Sequence, residues 1–94
     1  ATRKKVYAGR CTNFFKNISV AEFQLEAIPE LKEGDELLIT GETTGVYETI
    51  AHNIHNDAQQ VTSQVKQGEL FALKTDKILH RGDKLYKMVM QVHG

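Results

Sequence analysis

The sequence of 94 residues contains one cysteine, one proline and no tryptophan. The single cysteine, Cys11, excludes an internal disulfide, which is typical of a reducing compartment, so we expect a cytoplasmic protein. No apolar run approaches the ~18 residues of a membrane span, and the first ten residues lack the apolar stretch of a signal peptide. These absences predict one small soluble domain, residues 1–94, with no membrane partner.

The charges balance in number but are segregated along the chain. The twelve Lys and Arg residues equal the Asp and Glu residues in number, so the formal net charge is zero. Residues 1–21 carry five bases and no acid, residues 22–48 carry eight acids and one base, and residues 49–94 carry six bases and four acids. A basic face is the usual footprint of a nucleic-acid partner. The simpler explanation is cross-strand ion pairing, which stabilises a sheet by ~0.2–1 kcal/mol per pair.

Alternation of apolar and polar residues dominates the chain and predicts strands. It is clearest from Ser19 to Ala27, and Pro29 follows where a strand must end. The polar segment 55–67 is predicted to be a loop with at most a turn. Six short strands and almost no helix favour an all-β fold, a small closed or nearly closed antiparallel barrel of six or seven strands. The predicted strands are 4–12, 19–27, 36–40, 46–54, 69–75 and 84–92.

One motif occurs twice. Segments 31–37 and 79–85 share Leu-x-x-Gly-Asp-x-Leu, and each enters an apolar strand. Glycine permits the positive φ of a tight turn, and an aspartate side chain can accept hydrogen bonds from nearby backbone N–H groups. The repeat therefore predicts the same turn used twice.

Two possible chemical sites are weak in the sequence. His52, His55 and Asp57 lie close together, but in an extended chain positions 52 and 55 point to opposite faces. Structural zinc usually needs four ligands that include cysteine, so we expect no metal site and no cofactor. Cys11 lies in a segment of alternating apolar and polar residues, where a small thiol is buried for packing alone, so it is not expected to be a nucleophile. We therefore expect no catalytic residue.

A binding surface is the better candidate. The first strand and hairpin interleave cations with aromatic rings, the two ingredients of single-stranded nucleic-acid recognition. Phe14 and Phe15 are adjacent, so one of them is expected to cap the core. The residues predicted to bind a substrate or RNA are Arg3, Lys4, Lys5, Tyr7, Arg10, Phe14 and Lys16.

Several segments together resemble the C-terminal small-barrel domain of the collagenase-like peptidases, family U32. The most specific are the Gly-Asp-Glu-Leu…Thr-Gly-x-Thr-Thr-Gly block at 34–45 and Arg-Gly-Asp-Lys-Leu-Tyr at 81–86. Segments 5–10, 12–15 and 20–23 add to the resemblance, which runs from about Lys4 to Val89. The plan is also similar to domain two of elongation factor Tu, a translation-protein barrel.

The resemblance implies that peptidase chemistry belongs to a larger upstream α/β-barrel domain with no counterpart in these residues. The chain begins at Ala1 without a methionine, so we expect an excised C-terminal domain. Some relatives act with a partner in hydroxylating uridine in transfer RNA, and the elongation-factor barrel contacts aminoacyl transfer RNA. The implied partners are the upstream catalytic domain and a protein or transfer RNA substrate.

The leading hypothesis is a non-catalytic accessory domain that positions a macromolecular substrate for the upstream domain of a collagenase-like protease. The alternative is a purely structural domain that packs on that enzyme or mediates its dimerisation. It predicts an exposed apolar patch, drawn from Val46, Ile54, Val89 and Val92. An independent hydrolase would need a cleft with a nucleophile and a base in hydrogen-bond contact.

Overall fold

The computed structural model describes residues 2–91 and is all-β, as predicted. No helix in this part of the chain is long and apolar enough to span a membrane. In chain order the strands are β1 Thr2–Phe15, β2 Val20–Leu25, β3 Glu30–Lys32, β4 Glu36–Gly41, β5 Gly45–Ile50, β6 His55–Asn56, β7 Gln64–Lys66, β8 Leu70–Lys74 and β9 Lys84–Gln91.

Seven strands form one antiparallel sheet in the order β5-β4-β9-β1-β2-β8-β6, and β3 pairs with β7 in a second, two-stranded sheet. Within residues 2–91 the large sheet ends at β5 and β6, so hydrogen bonds do not close it into a ring. The antiparallel all-β prediction is confirmed, but among the described residues the strands form a seven-stranded open sheet and a small second sheet rather than a closed barrel.

The segment predicted as a loop, 55–67, contains the two short strands β6 and β7. Strands of two and three residues are too short to show alternation, so the sequence pattern could not reveal them. β7 pairs with β3, which was also missed, and brings the buried side chains of Leu31 and Val65 opposite each other. The fourth strand was predicted to reach Ile54 but ends at Ile50, where the chain turns inward and buries Ile54.

β1 is long because two irregularities let it bend without ending. Its register against β9 shifts between Tyr7 and Gly9, and its register against β2 shifts between Cys11 and Asn13. Such bulges bend a strand and change which side chains face inward. They explain why alternation is poor in this part of the sequence.

The core lies between the inner faces of the strands. Phe23 and Phe71 pair directly across β2 and β8, and their rings stack with centroids 5.5 Å apart. The other large, fully buried side chains are Leu25, Leu31, Leu37, Ile39, Ile54, Leu79, Leu85, Val65 and Cys11.

Three turns of one design lead into β4, β8 and β9. We call them the acidic turns; they are 31–37, 65–71 and 79–85. In each, the fourth residue is a glycine at φ +92° and the fifth is an acid. The acid donates its N–H to the carbonyl oxygen three residues earlier, and its carboxylate accepts that residue's N–H. The N···O distances are 3.1 and 2.8 Å for Asp35 with Lys32, 3.1 and 2.7 Å for Glu69 with Lys66, and 3.1 and 2.9 Å for Asp83 with His80.

Each acidic turn also docks on a buried residue of another segment through two backbone hydrogen bonds. The glycine N–H donates to that residue's carbonyl oxygen, and that residue's N–H donates to the carbonyl oxygen of the acid. The docked residues are Ala51 for turn 31–37, Leu25 for turn 65–71 and Cys11 for turn 79–85, with N···O distances of 2.6 to 3.0 Å. The repeat in the sequence is thus confirmed as shared turn chemistry. A third turn has the same hydrogen bonds with glutamate in place of aspartate and with Val65 and Phe71 in place of the two leucines.

We expect Gly82→Ala to lower the free energy of unfolding by about 1–2 kcal/mol, because a residue with a Cβ is strained at positive φ. A Cβ added at this glycine would have no other atom within 4 Å, so crowding adds nothing. Gly82→Asn should cost less, since asparagine tolerates this conformation better. Urea denaturation of both variants measures the difference. If Gly82→Ala were as stable as the unsubstituted chain, the role assigned to this turn would be contradicted.

Candidate interaction surface

The sheet has one face that lies away from the core, and we call it the outer face. Residues paired directly in adjacent strands point to the same side, and the register pairs Tyr7 with Tyr86, Tyr86 with Leu38 and Leu38 with Glu48. The opposite side carries the buried Leu37, Ile39 and Leu85. The outer face comprises Arg3, Lys5 and Tyr7 of β1, Lys84, Tyr86, Met88 and Met90 of β9, Glu36, Leu38 and Thr40 of β4, and Val46, Glu48 and Ile50 of β5.

Much of the outer face is apolar and open to solvent. Val46 is 66% exposed, Met90 65%, Ile50 45% and Tyr7 39%. Aromatic residues, methionine and arginine are enriched at protein interfaces relative to the rest of a protein surface. Five residues of the outer face are of these types, namely Arg3, Tyr7, Tyr86, Met88 and Met90.

An aromatic and cationic cluster occupies the β1 side of the outer face. The rings of Tyr7 and Tyr86 meet edge to face with centroids 5.8 Å apart, and Lys5 Nζ lies 4.7 Å from the centroid of Tyr86. The Tyr7 hydroxyl donates to Glu26 Oε1 at 3.0 Å. Desolvation raises the pKa of Tyr7, and the hydrogen bond to Glu26 adds to the rise. Tyr7 is therefore held in place as a neutral donor.

The basic first block of the chain is partly neutralised by the acidic second block. Arg3 forms an ion pair with Glu36 at 2.6 Å, and Arg10 forms one with Glu26 at 3.4 Å. These pairs are exposed, so each stabilises the fold by no more than ~1 kcal/mol. Their main consequence is electrostatic, since two of the five N-terminal cations already have a carboxylate partner.

The seven predicted binding residues do not share one surface. Arg3, Lys5 and Tyr7 lie together on the outer face, and Arg10 joins Tyr7 through Glu26. Lys4 pairs with Val89 and points to the opposite side. Phe14 packs against the core, and Lys16 lies in the turn between β1 and β2. Their role in binding stays a prediction.

The apolar residues named for a structural role are also separated. Val46 is exposed on the outer face, Ile54 is buried in the core, and Val89 is half-buried on the opposite side. Val92 lies outside the described residues. Sequence reasoning missed Ile50 and Met90 as exposed apolar residues, although alternation in the last strand already places Met90 with Tyr86 and Met88.

A buried polar cluster joins the β4–β5 turn to the third acidic turn. The Thr44 hydroxyl donates to Asp83 Oδ2 and lies 2.8 Å from His80 Nδ1. Thr44 is only 2% exposed, and its proton is directed at the carboxylate. A Cβ at Gly41 would lie 2.0 Å from Asp83 Oδ1, so only glycine fits beside this carboxylate. The cluster thus holds two turns together and offers no accessible nucleophile.

The histidines and acids considered for a metal are not gathered. His55 Nδ1 lies 2.8 Å from the carbonyl oxygen of Asn53, within hydrogen-bond distance. Within residues 2–91 no group of three His, Cys, Asp or Glu side chains is close enough to hold a metal ion.

Cys11 is buried, with its Sγ 3.2 Å from the carbonyl oxygen of Asn13. Burial raises the pKa of the Cys11 thiol from 9.0 to about 11. The thiolate is the reactive form of cysteine, so this side chain is inert at neutral pH.

We expect the stability of the chain to fall as pH rises from 9.0 to about 11, because the folded thiol keeps a proton that the unfolded thiol has lost. Cys11→Ala lacks this contribution. Its absolute stability is lower because of the smaller side chain, but its free energy of unfolding should fall less steeply over that interval. Urea denaturation across the interval measures both slopes, and equal slopes would contradict a buried, protonated thiol.

Comparison with known proteins finds relatives that match most of this chain. No family model matches the chain. The chain is 38% identical over 87 residues to a collagenase of Porphyromonas gingivalis, covering 93% of the chain and 20% of that protein. It is 36% identical over 83 residues to an uncharacterized protease of Methanocaldococcus jannaschii, covering 88% of the chain and 20% of that protein. The chain thus spans about a fifth of the length of these relatives.

Solved structures show the same fold. The C-terminal domain of a Geobacillus thermoleovorans protein assigned to the U32 peptidases superposes with a TM-score of 0.78 at 15% identity, covering 86% of this chain and 90% of that one. Its selenomethionine variant gives a TM-score of 0.77. The resemblance is thereby confirmed: this chain is homologous to a segment of the collagenase-like proteins and has the fold of a U32 peptidase C-terminal domain.

Proposed function

We propose that this chain is a non-catalytic accessory domain of a U32 collagenase-like peptidase and that it holds a polypeptide substrate beside the catalytic domain of the same protein. The outer face carries the proposal. It combines the exposed apolar side chains of Val46, Ile50 and Met90 with the cluster of Tyr7 and Tyr86. Exposed apolar surface of this kind marks interaction sites in proteins.

A non-catalytic role agrees with the state of the candidate nucleophiles. The Cys11 thiol is buried and protonated, and the Thr44 hydroxyl is buried and bonded to Asp83. A nucleophile must be activated by an adjacent base and reach the substrate. Neither side chain meets both conditions, so we assign cleavage to another part of the parent protein.

A polypeptide fits the outer face better than transfer RNA does. Arg3 is paired with Glu36, and the carboxylate of Glu48 lies on the same face. With Lys5 and Lys84, this face carries three cations against these two carboxylates. RNA affinity depends on many unopposed cations, and a phosphate backbone would meet both carboxylates here. The relatives are named as a collagenase and a protease, and both names denote action on polypeptides.

A purely structural role is the second candidate, and the exposure of Met90 and Val46 favours it. Apolar side chains exposed in the isolated domain could be covered by the catalytic domain or by a second copy. In that case the side chains of the outer face would be shielded from solvent in the parent protein, whereas those of a substrate-holding face stay exposed until substrate is added.

We expect the 94-residue chain to bind gelatin, an unfolded polypeptide probe, and Tyr86→Ala to weaken that binding about tenfold, as for a central interface aromatic. Ile18→Ser is the matched control, since Ile18 is 62% exposed but lies in the turn between β1 and β2. Surface-immobilised gelatin and a concentration series of each variant give the affinities.

Two results would contradict this function. One is gelatin binding that Tyr86→Ala leaves unchanged. The other is binding of transfer RNA, but not of gelatin, with an affinity that falls steeply as salt rises, because that dependence is the signature of phosphate contacts.

A further inference from the structure

The β5 edge of the large sheet has no neighbour on its outer side among residues 2–91. β5 is the last strand in the sheet order and pairs only with β4. The ladder runs without a register shift from Glu36 opposite Ile50 to Gly41 opposite Gly45. A regular strand with one open side presents a row of backbone donors and acceptors.

The backbone groups that point outward can be identified from the ladder. Ala51 donates its N–H to the carbonyl oxygen of Asp35 at 2.9 Å, which continues the same register. Hydrogen-bonded and non-bonded positions alternate along an antiparallel pair. The N–H and C=O groups of Val46, Glu48 and Ile50 therefore point away from β4, and no hydrogen bond outside the ladder involves them within residues 2–91.

Of the devices that usually prevent strand addition, this edge has only one charged side chain, Glu48. Exposed edges are commonly protected by lysine, proline or a bulge. β5 has the sequence Gly-Val-Tyr-Glu-Thr-Ile and contains none of these. Val46 and Ile50 are exposed beside the open backbone groups and flank Glu48 on the same side of the strand.

Charge argues against a second copy of this chain as the occupant. Two antiparallel β5 strands that pair all three outward residues must place Glu48 opposite Glu48, with Val46 opposite Ile50. Like charges directly opposite each other destabilise a sheet. Other registers leave an exposed apolar residue without a partner. The complementary occupant instead has a cation at the central position and apolar side chains two residues to either side.

We propose that β5 binds an extended polypeptide segment as an added strand, with a lysine or arginine opposite Glu48 and apolar side chains opposite Val46 and Ile50. Backbone hydrogen bonds then give affinity and the side-chain positions give specificity, as in other cases of strand addition. This inference rests on the proposed function and names the way in which the polypeptide substrate is held.

The test uses two labelled synthetic peptides of alternating threonine and valine that differ only in a central lysine or glutamate in place of one valine. Fluorescence anisotropy should show that the chain binds the lysine peptide more tightly. Glu48→Lys should weaken binding of the lysine peptide about two- to fivefold and strengthen binding of the glutamate peptide. Glu42→Lys makes the same charge change in the exposed β4–β5 turn and should leave the preference for lysine intact.

Glu48→Pro tests the backbone contribution. Proline is tolerated in an edge strand where its missing N–H faces solvent, and the Glu48 N–H points away from β4. The variant should keep its far-ultraviolet circular dichroism spectrum and thermal transition but lose at least about tenfold in affinity for the lysine peptide. Retained affinity in a folded Glu48→Pro variant would overturn strand addition, as would a Glu48→Lys variant with an unchanged preference.

The same variants separate this inference from the proposed function. Gelatin binding that Tyr86→Ala weakens and Glu48→Pro does not would leave the outer face as the substrate surface and refute the added strand. Gelatin binding lost in both variants supports both proposals. Sedimentation velocity detects whether the unsubstituted 94-residue chain forms a dimer. A dimer that Glu48→Pro dissociates would overturn the choice of occupant.

Discussion

The rest of this structure depends on one interaction, the hydrogen bond that a carboxylate accepts from a backbone N–H of its own turn. In a chain with a small core, Asp35, Glu69 and Asp83 each satisfy a backbone N–H three residues earlier, and the adjacent glycine then docks the turn on a buried segment. The three turns lead directly into β4, β8 and β9. The start of each of these strands is therefore fixed by local hydrogen bonds, and the docking bonds to Ala51, Leu25 and Cys11 then place the strand against its neighbours.

The positions of the outer face and of the β5 edge follow from the docking of these turns. Turn 79–85 docks on Cys11 and sends β9 back along β1, which places Tyr86 opposite Tyr7. Turn 31–37 docks on Ala51 and sets β4 against β5, so that β5 remains as the open edge. The outer face and the β5 edge are thus two consequences of one mode of turn docking. Burial of Cys11 at a docking point also accounts for its raised pKa.

Alternation and turn chemistry predict much of this fold from the sequence. They place the second and last strands, and the repeated Leu-x-x-Gly-Asp-x-Leu predicts two of the three acidic turns. The third is hidden because Val65, Glu69 and Phe71 replace the first leucine, the aspartate and the last leucine, although the longer acid makes the same hydrogen bonds.

The binding residues were harder to predict, because partners far apart in the sequence decide their state. Glu36 neutralises Arg3 from β4, and Glu26 engages both Tyr7 and Arg10. Composition of the first strand alone cannot reveal these pairs. The most direct test of substrate holding by the outer face is made on the parent protein, comparing hydrolysis of a long polypeptide with that of a short chromogenic peptide before and after Tyr86→Ala. We predict a higher KM for the polypeptide with kcat unchanged and no effect on the short peptide; equal losses on both substrates would contradict a substrate-holding role.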